Sequence, residues 1–400
     1  MLSLATTYPE SKNPRTPKFV HEINKELVKL GVNVKTITIR RKTGLTKEVM
    51  DSVSIVRIRY LPEKYQFKFT SIPDEISKTK IGYLKVIIMT LFFFFHTLLE
   101  CMKQKPDLIH AHWSLPCGYI AYLMSKIFKT KFVITIHGGE IPFLKKFSLI
   151  RNPLIKAMNK SVLVRANSNY SRNEFIKMGV NEKKIIKLNV PPNFLKHISD
   201  KKLLEDFRRE LTIPSNKIIL FSGRLVERKG IEYLIKAMKE LRLDNVHLII
   251  SGGGTLRNEL EKLTNTLELD DKITFFGRVS NEKLGWLHDI SDVSVCPSII
   301  DSQGNTEYLG LVIPEAMESG LPVIASSVGG IVDIVKNEVN GLLVPQKDSA
   351  AIANAIERII KDEELAKKLV ENSKATVSEF SPQRIAQKYY EIFQNCVEKR

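Results

Sequence analysis

Two glutamates eight residues apart, Glu307 and Glu315, lie within TEYLGLVIPEAMESGLPVIAS, residues 306–326. Gly310 stands between them and Pro314 directly precedes the second. Proline is tolerated in the first turn of a helix, where its missing N–H would have no partner. The Gly320-Leu321-Pro322 break is a stop signal. The pattern predicts a short helix from about Leu311 to Ser319 and then a buried strand. The unpaired N–H groups near Gly310 and Leu311 would form a partly positive site that suits a phosphate. Glu315, one turn on, shares a face with those amides. A carboxylate so placed is repelled by a phosphate unless it accepts hydrogen bonds from something attached to it, such as sugar or ribose hydroxyls. From spacing alone, two surface glutamates flanking a turn fit equally well.

Three other loops carry residues suited to phosphate and sugar. FSGRLVERKGIEYL sets Arg224 just after a strand and Lys229 just before a helix. Two cations at such a turn suit a diphosphate, the guanidinium making paired contacts. ISGGGTLRNEL brings Gly252, Gly253 and Gly254 to a strand end, permitting close backbone approach to a ligand without the full dinucleotide fingerprint. FFGRVSNEKL offers Arg278 and Val279, whose backbone could pair with a nucleobase edge. Taken singly, the first loop also reads as a surface loop with ordinary charges, and the other two are weak signals.

The elements that must position these loops are short apolar runs alternating with helical patterns. In the first half they are LSLATT, NVKTITIR, VSIVRIRY, DLIHAHW, KFVITIHG, SVLVRANS and KIIKLNV. In the second they are KIILFSG, VHLIISGGG, KITFFG, VSVCPS, PVIAS and GLLVP. Continuous apolar strands separated by helices predict parallel sheets covered on both faces, and two series predict two doubly wound α/β domains. Ligands of such sheets bind beyond the strand carboxyl ends. LKVIIMTLFFFFHTLLEC, residues 84–101, is apolar from 86 to 99 except for Thr90, His96 and Thr97. That is shorter than the roughly 20 residues that cross a bilayer. It reads as a buried helix on the N-terminal sheet, with a helix dipping into a membrane interface as the alternative.

The chain has 400 residues, 43% of them apolar, with a formal net charge of +17. Residues 1–200 hold 34 Lys and Arg against 14 Asp and Glu, a net +20, while residues 201–400 hold 27 against 30, a net −3. A basic half facing a neutral one points to an anionic surface, nucleic acid or the cytoplasmic face of a membrane, or to a solvated lysine-rich face. Cys101, Cys117, Cys296 and Cys396 show no CxxC spacing, so reduced thiols are expected. The opening MLSLATTYPE has neither the charged region nor the apolar stretch of a signal peptide, and a cytoplasmic protein is expected.

Taken in order, SGRLVERKG, GRVSNEKL and EYLGLVIPEAMESGLPVIASSVGGIVDIV resemble the retaining glycosyltransferases of family 4, which have the GT-B fold. TTYPESKNPRTPKFVHEINKEL, PDLIHAHWSLPCG and TIHGGEI extend the resemblance over nearly the whole chain, and the Glu307–Glu315 pair matches that family's E-x7-E motif. The resemblance implies two Rossmann-like domains facing a central cleft. Residues 1–193 would take the acceptor and residues 194–379 the donor. A closing helix from about residue 380 would cross back to the first domain. Arg224 and Lys229, with Gly223 beside them, would hold the donor diphosphate and stabilise charge on the leaving group. Glu307 would bond donor-sugar hydroxyls, amides of Leu309, Gly310 and Leu311 the phosphate, and Glu315 the ribose. Gly253, Arg278 and Val279 would complete the donor site, and His137 in TIHGGEI would contact the sugar.

In this family the donor phosphate oxygen is thought to take the acceptor's proton, so no protein nucleophile, metal or cofactor is expected. The acceptor would be a glycan, with an anionic or lipid-linked one suggested by the basic first half, and the enzyme would sit at the inner membrane face. His110 and His112 read as core or wall residues; Asp107 and Glu140 have too little context for catalysis, although Glu140 could reach an acceptor. Two departures stand out. The glycine-rich first loop of many members is here YPESKNPRTPKF, with Arg15 and no glycine, and the usual PNGVD hinge is replaced by NVPPNFL. Closure of the domains over the donor is expected. A sugar phosphorylase on a related fold is the rival enzyme reading. A basic nucleic-acid-binding protein on an inactive scaffold is the rival from another class, unsupported by any aromatic-interleaved basic patch.

Overall fold

A computed structural model describes the chain except for residues 11–17, 41–44, 67–79, 194, 196, 199, 212, 214–216 and 399–400. Arg15 and most of the glycine-free first loop lie outside the described residues. The chain forms two compact units, one of Met1–Pro191 with Ser381–Arg400 and one of Pro192–Phe380.

In the first unit, strands β1 (Leu2–Leu4), β2 (Lys35–Ile39), β3 (Lys47–Met50), β4 (Val53–Ile58), β5 (Leu108–His112), β6 (Lys131–Ile136), β7 (Leu163–Ala166) and β8 (Ile185–Lys187) make one sheet. Its order is β3-β4-β2-β1-β5-β6-β7-β8. The helices are α1 (Phe19–Lys29), α2 (Lys80–Lys103), α3 (Tyr119–Phe128), α4 (Ile141–Lys146), α5 (Ser148–Lys160) and α6 (Asn169–Lys177). All pairings are parallel except β3–β4, an antiparallel edge that the sequence reading, which expected only parallel strands, did not include. Its pattern is alternately exposed and half-buried, so it lacks the continuous apolar run that marks the others.

In the second unit, β9 (Lys217–Ser222), β10 (Val246–Ser251), β11 (Ile273–Gly277), β12 (Val293–Cys296), β13 (Val323–Ser326) and β14 (Leu342–Val344) form a parallel sheet in the order β11-β10-β9-β12-β13-β14. Its helices are α7 (Lys201–Glu210), α8 (Ile231–Glu240), α9 (Arg257–Thr266), α10 (Asn281–Asp289), α11 (Val312–Glu318), α12 (Ile331–Ile334), α13 (Ser349–Lys361) and α14 (Glu363–Ser378). Alternation along β9 divides its side chains between two cores. Ile219 and Phe221 pack with Leu234 of α8 and Ile356 of α13, whereas Ile218 and Leu220 pack with Phe207 of α7 and Leu287 of α10.

Helix α15 (Pro382–Glu398) returns to the first unit, packing along α1 and burying Ile385, Tyr389 and Phe393 with Val20, Ile23 and Leu27. Helix α2 departs from the expected buried helix. It lies against β2 and β4 beside α3, and its buried side chains among the described residues form the stripe Met89, Phe93, Thr97 and Cys101, at four-residue spacing. One sheet contact covers one stripe of a helix about 36 Å long, and α2 is apolar on its other side too.

Candidate active site

The second sheet reverses direction between β9 and β12, where a doubly wound sheet opens its ligand crevice. The loops that leave these two strands carry Arg224 and Lys229 on one side and Glu307 on the other. After β9 the chain passes Gly223 and exposed Arg224 and makes a single 3-10 turn over Glu227–Lys229 before α8. That turn buries Lys229, and its ammonium donates to Glu307 Oε2. The two side chains are 10% and 14% exposed, so this ion pair is largely withdrawn from water. Burial alone would push the Glu307 carboxyl up, but the field of Lys229, helped by Arg228 and Arg224, outweighs it and holds the group below the usual carboxylate range.

The backbone around Glu307 is held as firmly as its side chain. Gly330 N–H donates to the Glu307 carbonyl at 2.8 Å. The preceding Gly329 has φ +55°, and a Cβ there would overlap that same oxygen. The loops after β9 and β12 are also tied together through Glu227, which accepts from Ser302 N and Ser302 Oγ, both at 2.8 Å. No residue type or spacing in the sequence marks Glu227, and Gly329 is legible only as part of the SVGG of the family-like segment.

Glu315 sits in α11, and Gly310, at φ +84°, turns the chain into that helix. Leu309 is buried and belongs to the core of the loop, while Leu311 is half-buried at the helix start. The Glu315 carboxylate is buried and accepts from Asn193 N at 3.1 Å and Asn193 Nδ2 at 3.3 Å. Burial dominates over these two bonds and pushes it up to about 7. The carboxylates of the pair therefore differ: Glu307 is charged beside a cation, and Glu315 is close to half protonated at neutral pH. Asn193 lies in the altered NVPPNFL segment, and nothing in its sequence neighbourhood marked it as a partner of Glu315.

The triple glycine serves packing between loops. A Cβ on Gly252 would overlap the Gly223 carbonyl oxygen, and one on Gly254 would overlap the Leu225 carbonyl. Gly253 lies under the Arg278 side chain, whose Nε is 2.9 Å from where its Cβ would be. Val279 is half-buried against the cluster of Phe207 and Leu287. Three adjoining strand ends thus bring Gly223, Gly253 and Arg278 together, while Arg278 itself is exposed.

In the first unit, His137 follows β6. Its Nε2 lies 3.4 Å from His112 Nδ1 and its ring is 4.6 Å from that of Trp113. His110 Nε2 meets Thr135 Oγ1 at 2.8 Å, and Thr135 Oγ1 in turn meets the Tyr389 hydroxyl of α15 at 3.0 Å. Burial, with Arg165 nearby, lowers all three histidines, His110 to about 3 and the other two well below the usual range, so all are neutral at pH 7. Glu140 accepts from Ser114 N at 2.8 Å, His137 N at 3.0 Å and Gly138 N at 3.2 Å. Its carboxylate thus holds the loop around His137.

The fold is that of a GT-B glycosyltransferase. Sucrose-phosphate synthase from Thermosynechococcus elongatus superposes with a TM-score of 0.78 at 23% identity, covering 100% of this chain and 99% of that one. HepE of Anabaena, solved in complex with UDP-glucose, gives 0.70 at 19% identity over 98% and 99%. Residues 17–187 match Glycosyltransferase Family 4 and residues 204–376 match Glycosyl transferases group 1. An uncharacterised glycosyltransferase of Methanocaldococcus jannaschii is 29% identical over 93% of this chain and 92% of its own. The chain belongs to glycosyltransferase family 4.

Proposed function

We propose that this glycosyltransferase moves a sugar from a nucleotide diphosphate to an acceptor hydroxyl with retention of anomeric configuration and without a metal. The observation that carries the reading is the buried Lys229–Glu307 pair at the crevice of the second sheet, with Arg224 on the same loop. In the free protein the Lys229 ammonium is neutralised by Glu307. A donor diphosphate offers it a second anion, and Lys229 and Arg224 together stabilise the charge that grows there as the sugar leaves. Glu307, kept charged, accepts hydrogen bonds from sugar hydroxyls. Glu315 accepts from the ribose in place of Asn193. The acceptor's proton goes to the donor's phosphate oxygen.

The acceptor side falls to the first unit, whose basic surface suits an anionic or lipid-linked glycan at the cytoplasmic face of a membrane. A thermal-shift screen of UDP, GDP, ADP and their sugar conjugates tests the donor half. A nucleotide at about a hundred times its dissociation constant should add about 2.7 kcal/mol of stability. Stabilisation of the wild type that an Arg224→Ala, Lys229→Ala variant lacks is the expected result. No stabilisation by any of them would sink the proposal. NMR of the first-formed anomer then reads retention directly.

A further inference from the structure

Helix α2 carries a second apolar stripe that the fold leaves uncovered. Leu84, Ile87, Leu91, Phe95, Leu99 and Met102 follow one another at three- and four-residue spacing and are 50–66% exposed. They lie opposite the stripe sunk against β2 and β4. An exposed apolar strip of this length marks a binding surface.

Charge selects its occupant. Lys103 and Lys105 stand exposed at one end, and on neighbouring α3 exposed Ile127 lies between Lys126 and Lys129. The one acidic residue in α2, Glu100, is 11% exposed and paired with Lys35 of β2 at 2.5 Å and with Lys103 at 3.5 Å. A second copy docked antiparallel on this face would bring Lys103 and Lys105 to the end of its α2 that carries Lys85, with Glu100, the one acidic residue of the helix, already paired. A bilayer surface with anionic headgroups satisfies both the apolar stripe and its cationic border. Gly82–Lys103 is long and apolar enough to cross a bilayer, but the inward stripe and the Lys35–Glu100 pair hold α2 on its sheet, which favours a helix in the membrane plane.

We propose that the outer face of α2, from Leu84 to Met102, inserts into the interface of an anionic membrane and seats the first unit on the surface where its acceptor lies. The inference deepens the proposed membrane-side acceptor, yet its test reads lipid binding independently of the donor site.

Full-length wild type is mixed with phosphatidylglycerol-rich vesicles, with phosphatidylcholine vesicles and with vesicles of brominated lipid. A Leu91→Glu, Phe95→Glu variant and a Leu91→Trp variant are run beside it. The expected result has four parts. The wild type sediments with the anionic vesicles. The introduced tryptophan blue-shifts and is quenched by brominated chains. The double variant binds at least about tenfold more weakly. The same variant keeps the nucleotide-induced thermal shift, which shows that it is folded.

Failure of the wild type to bind vesicles would overturn the inference, as would equal binding by the double variant or binding without quenching. Concentration-dependent dimerisation lost in the double variant would also overturn it, assigning the face to a second copy. Vesicle binding by a protein that no nucleotide stabilises would refute the donor reading and leave the membrane face standing.

Discussion

Replacing Lys229 with methionine removes the cation from a pair whose carboxylate stays buried. In fully buried pairs, loss of one partner costs about 3–5 kcal/mol, because the survivor is left charged and unmatched. Glu307 keeps slight exposure and the weaker fields of Arg228 and Arg224, so the expected loss is about 2–3 kcal/mol. For a unit of this size that lowers Tm by roughly 5–10 °C.

The pH dependence carries the sign. In the wild type the Glu307 carboxyl is held low, so the pair's stabilisation is present above the unfolded value of about 4.3. It is lost as pH falls through the lower folded value. In Lys229→Met burial is opposed only by the weaker fields of Arg228 and Arg224 and raises the group. The stabilisation from its protonated form is then present below about pH 4.3 and lost as pH rises. The gap between the two proteins should therefore be wide at neutral pH and narrow in acid. Guanidinium unfolding followed by Trp286, which packs on Phe207 in the second unit, reads it in a Trp113→Phe background. Adding Glu307→Gln to Lys229→Met removes the stranded charge and should restore at least half of the loss. The reasoning is refuted if the double variant is no more stable than Lys229→Met, or if the gap does not change with pH.

Glu315, pushed up to about 7 by burial, stabilises the fold only while protonated, so its contribution is complete below about pH 4.3 and lost as pH rises to 7. Glu315→Gln, which can still accept from Asn193, should exceed the wild type by about 3 kcal/mol at pH 8 and match it near pH 4, read from melting curves. Gly329→Ala forces a side chain onto the Glu307 carbonyl at a positive φ, so nucleotide-induced stabilisation should vanish in a thermal-shift assay while the far-ultraviolet dichroism keeps its shape. Phe393→Ala empties a buried site of α15 beside His110 and Tyr389, and urea unfolding should show a loss of about 3 kcal/mol confined to the first unit, with Trp113 reporting it.

What sequence alone determined was the repeating local pattern. Thirteen continuous apolar runs became strands because a strand covered on both faces needs no polar alternation, whereas β3, half-exposed at an edge, carried no such run. The short helix bearing Glu315 was legible from Pro314 and Gly320, which act through the backbone of their immediate neighbours. Residue types likewise marked Arg224, Lys229, Glu307 and Glu315 as chemically able. Tertiary structure decided what each carboxylate meets. Lys229 finds Glu307, 78 residues away, because β9 and β12 adjoin at the sheet's reversal, and Asn193 reaches Glu315 across 122 residues. It also turned Glu140 onto three backbone amides and spent the glycine run on packing between loops. The outer stripe of α2 was left bare for the same reason. A helix's composition states how apolar it is, but which side is covered depends on the sheet and helices that reach it, and these come from distant parts of the chain.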